Sequence, residues 1–72
     1  MMYEFWQHRT SGDLYAIAFT ESDEGTTVIA VSEPLSHRDI AAQPDPSEYN
    51  LADDDADWFQ GHTDLFATYE PE

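Results

Sequence analysis

Apolar and polar side chains alternate along the first third of the chain. Tyr3, Phe5 and Gln7 fall on one side of an extended segment, and Met2, Glu4, Trp6 and His8 on the other. That period of two predicts a strand over residues 2–8. The cluster Thr10-Ser11-Gly12-Asp13 predicts a turn, with Gly12 free to take a positive φ. Tyr15, Ile17 and Phe19 then alternate with Leu14, Ala16 and Ala18, a second strand over 14–20. Glu21-Ser22-Asp23-Glu24-Gly25 reads as a second turn, and Thr26 to Ser32, with Val28, Ile29 and Val31, as a third strand. Short Gly-containing connections join hairpins, so residues 2–32 are expected to form an antiparallel meander.

The period changes after Pro34, which ends the sheet. Ser36 is placed to cap a short turn through Ile40, with Asp39 at the third helical position as in a capping box. Gln43-Pro44-Asp45-Pro46 reads as a rigid linker, because closely spaced prolines exclude regular structure. Residues 33–46 are therefore turn and linker. Ser47 or Asn50 caps the next segment, in which Tyr49, Ala52, Ala56 and Phe59 share a helical stripe with Leu51 and Trp58 beside it. This predicts a helix within 47–61, running over about 49–60, with Gly61 as its C′ residue. Thr63 to Tyr69 alternates weakly, so residues 62–72 are a tail or an edge strand. The expected fold class is α+β: one domain over residues 1–72, a three-stranded antiparallel β-meander packed against one C-terminal α-helix. One helix covers one sheet face. Either the 36–42 segment and the tail cover the other, or that face is a contact surface.

Charge changes this picture more than composition does. Sixteen Asp and Glu stand against two Arg and no Lys, a net charge of −14 on 72 residues. Residues 1–36 hold a net of −5 and residues 37–72 a net of −9. A body this anionic repels nucleic acid and acidic membranes and attracts basic surfaces. Ten aromatics among the 72 residues argue for a packed core rather than disorder. A chain of this size buries only about 60% of its unfolded surface, so its stability is expected to be marginal. The absence of Cys excludes disulfides, thiolate nucleophiles and Cys-based zinc sites. No basic-then-apolar leader and no apolar run of membrane-spanning length are present, so a cytoplasmic, non-membrane protein is expected.

Asp53, Asp54, Asp55 and Asp57 form the densest acidic run. On a continuous helix Asp53 and Asp57 face each other, and such like-charge pairs cost about 0.2–0.5 kcal/mol each. A helix that keeps this repulsion argues that the charge has a use, against the plainer reading of a solvated face. Asp53, Asp55 and Asp57 also match the first positions of a calcium loop. Trp58, however, stands where that loop needs Gly for its sharp turn, so no metal site is expected. His8, His37 and His62 are scattered without ligand spacing. Ser36, His37 and Asp39 are too close in sequence to converge as a relay. No phosphate-binding loop occurs. The chain reads as a non-enzyme with no cofactor.

Carboxylates accept bidentate Arg contacts much as phosphates do. Four Asp on a helix, with Glu21, Asp23 and Glu24 from the turn and Asp45 and Glu48 from the linker, offer an anionic band comparable to duplex DNA, which carries one charge per about 1.7 Å. Trp58 and Tyr49 at its margin are placed to stack on Arg. In size, charge, lack of Lys and meander-plus-helix plan, the whole chain resembles the small acidic inhibitors that phages and mobile elements encode against host defence, the anti-restriction and anti-CRISPR proteins. The resemblance rests on no motif. It implies a DNA mimic, monomeric or weakly dimeric, in the host cytoplasm. Such a protein binds no nucleic acid itself and occupies the basic DNA-binding surface of a defence complex, such as a CRISPR effector. Two other readings stay open: a halophilic-type domain acidic for hydration, and an antitoxin-like domain that binds a basic protein without mimicry.

Overall fold

The computed structural model describes residues 1–71. Strands β1 (Met2–His8), β2 (Leu14–Ser22) and β3 (Gly25–Val31) form the expected antiparallel meander, and a fourth strand, β4 (Phe66–Tyr69), joins the free side of β1. The sheet is thus four-stranded, in the order β3-β2-β1-β4, rather than three-stranded. The β2 and β3 strands reach further into their turn than the 14–20 and 26–32 spans, because Ser22 pairs with Gly25. Only Asp23 and Glu24 are left to turn, and Gly25 supplies the required backbone at φ +119°.

The pairing of β2 with β3 explains an irregularity in the sequence. Val28 and Val31, three residues apart, cannot share a face of a regular strand. The register shifts between Ala18 and Phe19, so that Ala18 pairs with Ala30 and Phe19 with Val28, and Ile29 is the extra residue of a bulge. Both valines thereby reach the front face, where they are buried with Trp6, Ile17, Phe19 and Phe66. The back face carries Phe5, Leu14 and Ala16.

Each face has its own cover. Helix α1 (His37–Ala42) closes the back with Ile40, beside Leu35, Tyr49 and Leu51. Its capping box is the expected one. The Ser36 hydroxyl accepts from the Asp39 N–H at 3.1 Å, and the Asp39 carboxylate accepts from the Ser36 N–H at 2.9 Å. Helix α2 (Ala56–Gly61) closes the front with Ala56 and Phe59.

The helix expected over 47–61 is therefore shorter. Asp45, not Ser47 or Asn50, caps a 3-10 turn at Pro46–Glu48. Residues 49–55 run extended or in turns, and Ala52 bridges Val31 through backbone bonds of 2.8 and 3.0 Å. The cause is topological. Tyr49 and Leu51 bury on the back face, and Ala56 and Phe59 on the front. The segment has to pass round the β3 edge to reach both, which a single straight helix cannot do. The Tyr49–Phe59 stripe is a coincidence of spacing. Gly61 is the last residue of α2 and has no positive φ, so it is not a left-handed C′ residue.

Polar groups at the edges are met by side chains. Gln60 accepts from the Val28 N–H at 2.7 Å and donates to the Thr26 carbonyl at 2.8 Å, so its amide stands in for a neighbouring strand. The buried Ser32 hydroxyl accepts from the Ala16 N–H and donates to the Glu33 carbonyl, each at 2.9 Å. The indole N–H of Trp6 is buried without a hydrogen-bond partner among the described residues. An orphan of this kind costs about 1–3 kcal/mol.

Candidate functional site

All nine sequence-identified carboxylates are exposed. They do not line one helix. Asp53, Asp54 and Asp55 precede α2, and only Asp57 lies on it, in the first turn. The facing Asp53–Asp57 pair of a continuous helix is therefore not formed. All four gather at the positive end of a short helix dipole, where anions are favoured. Asp55 makes no side-chain cap bond, and the Asp53 carbonyl takes the Ala56 N–H at 3.1 Å. The carboxylates themselves are left to solvent.

The remaining five lie at the opposite end of the sheet. Met2 pairs with Phe19 and Phe19 with Val28, which places the β2–β3 turn and its Asp23 and Glu24 beside the start of β1. The Pro46–Glu48 turn packs on β1 and β2. Asp45 and Glu21 face a common groove of about 580 Å³ floored by Met2, Tyr3 and Phe19, and Glu4 lines it too. Asp45 accepts from the Ser47 hydroxyl at 2.7 Å and its N–H at 2.9 Å, which hold its carboxyl below the ordinary 3.8. The two acidic poles are separated by the length of β3, about 20 Å at roughly 3.3 Å per residue.

The pole at Asp53–Asp57 borders the more structured depression. A cleft of about 520 Å³ opens between Tyr15, Trp58 and Phe59, with Glu33, Asp54 and Asp55 at its rim. Its aromatic wall is fixed by packing. Tyr15 meets Phe59 edge-on at 5.0 Å, Phe59 stacks on Phe66 at 4.5 Å, and Trp58 stacks on His62 at 4.5 Å and 15°. His62 donates its Nδ1–H to the Trp58 carbonyl at 2.7 Å, which pins that stack and fixes the ring tautomer. Trp58 is 48% exposed. Burial, and then the charges of Asp13 and Asp55, push the Tyr15 hydroxyl above its usual 10.0.

Three of these groups escaped sequence reasoning. Glu33 and Tyr15 reach the cleft through sheet register, Asp13 acts on the Tyr15 hydroxyl from the β1–β2 turn, and no local spacing marks them. Trp58 was legible as an exposed aromatic beside the Asp run. Tyr49 was not correctly placed. Its hydroxyl donates toward the Asp39 and Gln43 carbonyls at 3.0 and 2.7 Å, and its ring meets Phe5 edge-on at 5.7 Å. Tyr49 thus ties α1 to the back face and is no marginal stacking platform.

Among the described residues, no three His, Asp or Glu side chains converge in an arrangement that holds a metal ion. No helix among the described residues is long and apolar enough to cross a membrane. No family of known proteins, no curated protein and no solved structure matches this chain.

Proposed function

We propose that this chain is a non-catalytic DNA mimic. It acts in the cytoplasm of a host cell, occupying the basic DNA-binding cleft of a defence complex, of which a CRISPR effector is the best fit. The observation that carries the reading is charge per length. The molecule measures 34 Å along its longest axis and carries a net charge of −14. One turn of duplex DNA is about 34–36 Å long and carries about 20 phosphate charges. The protein thus offers about two-thirds of the charge of one DNA turn over the same distance. All nine candidate carboxylates face solvent, ready for Arg and Lys.

The nine carboxylates do not form the single band expected from the sequence, and their two poles set the proposed mode of binding. Asp53, Asp54, Asp55 and Asp57 form one contact, and Glu21, Asp23, Glu24, Asp45 and Glu48 the other. A partner has to present basic groups at both ends of a span of about 20 Å. Charge pairs at the rim of an interface drive association and respond to salt, so affinity is expected to fall steeply as salt rises.

The test is the Asp53→Asn, Asp54→Asn, Asp57→Asn triple variant. None of the three makes a side-chain cap bond. The helix-dipole stabilisation given up is offset by relieved repulsion among them, so the fold stays intact while inhibition of the target's DNA binding is lost. Equal inhibition by variant and parent removes the mimic reading. The acidity then serves hydration in salt, or a partner held through another surface.

A further inference from the structure

We infer that the cleft between Tyr15, Trp58 and Phe59 is a receptor for a single arginine side chain of the partner. This deepens the proposal above and rests on it for the partner being basic. The cleft itself chooses arginine. It is a concavity of about 520 Å³ whose wall is aromatic and whose rim carries Glu33, Asp54 and Asp55. A guanidinium is planar, weakly hydrated and able to stack on an aromatic face while forking two N–H groups onto a carboxylate. An ammonium is a compact, strongly hydrated charge that gains less from the aromatic wall. A phosphate or carboxylate is repelled from the rim, and a neutral apolar side chain leaves the acids unpaired.

The wall is preorganised. Trp58 is held on one side by the His62 stack at 4.5 Å and by the 2.7 Å bond from His62 to its carbonyl. Tyr15 is held by Phe59 at 5.0 Å and Phe66 at 5.9 Å. A side chain entering here has little to reorder, which lowers the entropy lost on binding. The other acidic groove differs in the feature that matters. Its floor is Met2, the 39%-exposed Tyr3 and the buried Phe19, so it offers a Tyr in place of the Trp that attracts cations best.

The experiment uses the full chain and two seven-residue peptides, one with three Arg and one with three Lys in the same Gly/Ser background. Titrations at low salt are followed by the two indole N–H resonances. Trp6 is 8% exposed and Trp58 48% exposed, so Trp6 serves as an internal reference. The expected result is that the Arg peptide binds about 2- to 5-fold more tightly than the Lys peptide, at most the worth of a whole cation–π contact at an exposed site. It shifts the Trp58 resonance and leaves Trp6 in place. Trp58→Ala removes the Arg preference. Because Trp58 also packs on Phe59, the near-isosteric Asp55→Asn is the second variant, and it too brings the Arg peptide down to the Lys peptide. Glu70→Gln removes the same charge elsewhere and leaves the ratio unchanged. Equal binding of the two peptides, or an Arg preference that survives both cleft variants, overturns the arginine receptor while leaving a basic partner in place. If neither peptide binds at low salt, the receptor and the anionic-binding reading fail together.

Discussion

Asp39 shows how one acid in a crowded anionic chain can be structural. Its carboxylate accepts the Ser36 backbone N–H at 2.9 Å, and that bond, first of all, holds its carboxyl below the ordinary 3.8. A carboxyl lowered by folding contributes stability that is complete above its unfolded value. The contribution is lost as pH falls through the lower folded value. Asp39→Ala is therefore expected to melt below Glu70→Ala, which removes the same charge without touching a cap, at pH 7. The gap should narrow on going to pH 2. Thermal melts of both variants at both pH values check this, and a gap undiminished at pH 2 contradicts it. Gly61 is the converse case. It is helical, has no positive φ, and an added Cβ meets nothing within 4 Å. Gly61→Ala should stabilise the protein by about 0.5–1 kcal/mol, read from urea denaturation, because Ala loses less freedom in a helix than Gly. A loss of stability shows that Gly61 has a backbone role. Ser36 with Asp39 was legible in the sequence because a capping box is local. The work of Tyr49 was not, because the carbonyls it bonds lie six and ten residues away.

The elements divide in the same way. The three strands of the meander were legible because alternation and Gly turns are written in adjacent residues. The shortness of α2 was not. Tyr49, Ala52, Ala56 and Phe59 have helical spacing, and only the two-sided core reveals that Tyr49 and Phe59 serve opposite faces. Nor could β4 be separated from a tail, since Phe66–Tyr69 gains its strand from β1 and not from its own pattern. The β3 edge also depends on a distant residue. Gln60 takes the Val28 N–H and gives to the Thr26 carbonyl, which binds α2 to the sheet at its C-terminal end. Gln60→Ala removes both bonds and is expected to cost about 0.5–1.5 kcal/mol for each, the net worth of a hydrogen bond whose groups water can reach. Urea denaturation measures it. Amide exchange at Val28 should rise with it, and unchanged exchange there shows that water replaces Gln60 without loss.

Across the whole molecule the nine candidate carboxylates fall at two poles. Of the candidate residues, Asp53, Asp54, Asp55 and Asp57 were readable as a cluster and Asp23 and Glu24 as a turn, whereas Glu21 belongs to β2. Their arrangement as two poles, the cleft with Tyr15, Trp58 and Phe59 lying at one of them, depends on the path of residues 49–55 round the β3 edge. With a net charge of −14 on a body 34 Å long, self-repulsion should lower stability wherever it is unscreened. The screening length falls from about 30 Å at 0.01 M salt to about 8 Å at 0.15 M. The melting temperature should accordingly rise over that interval. Each ~1 kcal/mol of relieved repulsion raises it by about 4–8 °C in a domain of this size. A flat or falling melting point contradicts the repulsion. The central claim, that the acidic poles occupy a DNA site, is tested most directly by competition. The parent protein is immobilised, a host-cell lysate is passed over it, and the column is eluted with duplex DNA at constant salt. The account predicts that a DNA-binding complex is retained, that duplex DNA releases it, and that the Asp53→Asn, Asp54→Asn, Asp57→Asn variant does not retain it. Retention of no DNA-binding complex, retention that duplex DNA leaves undisturbed, or equal retention by the triple variant contradicts the account.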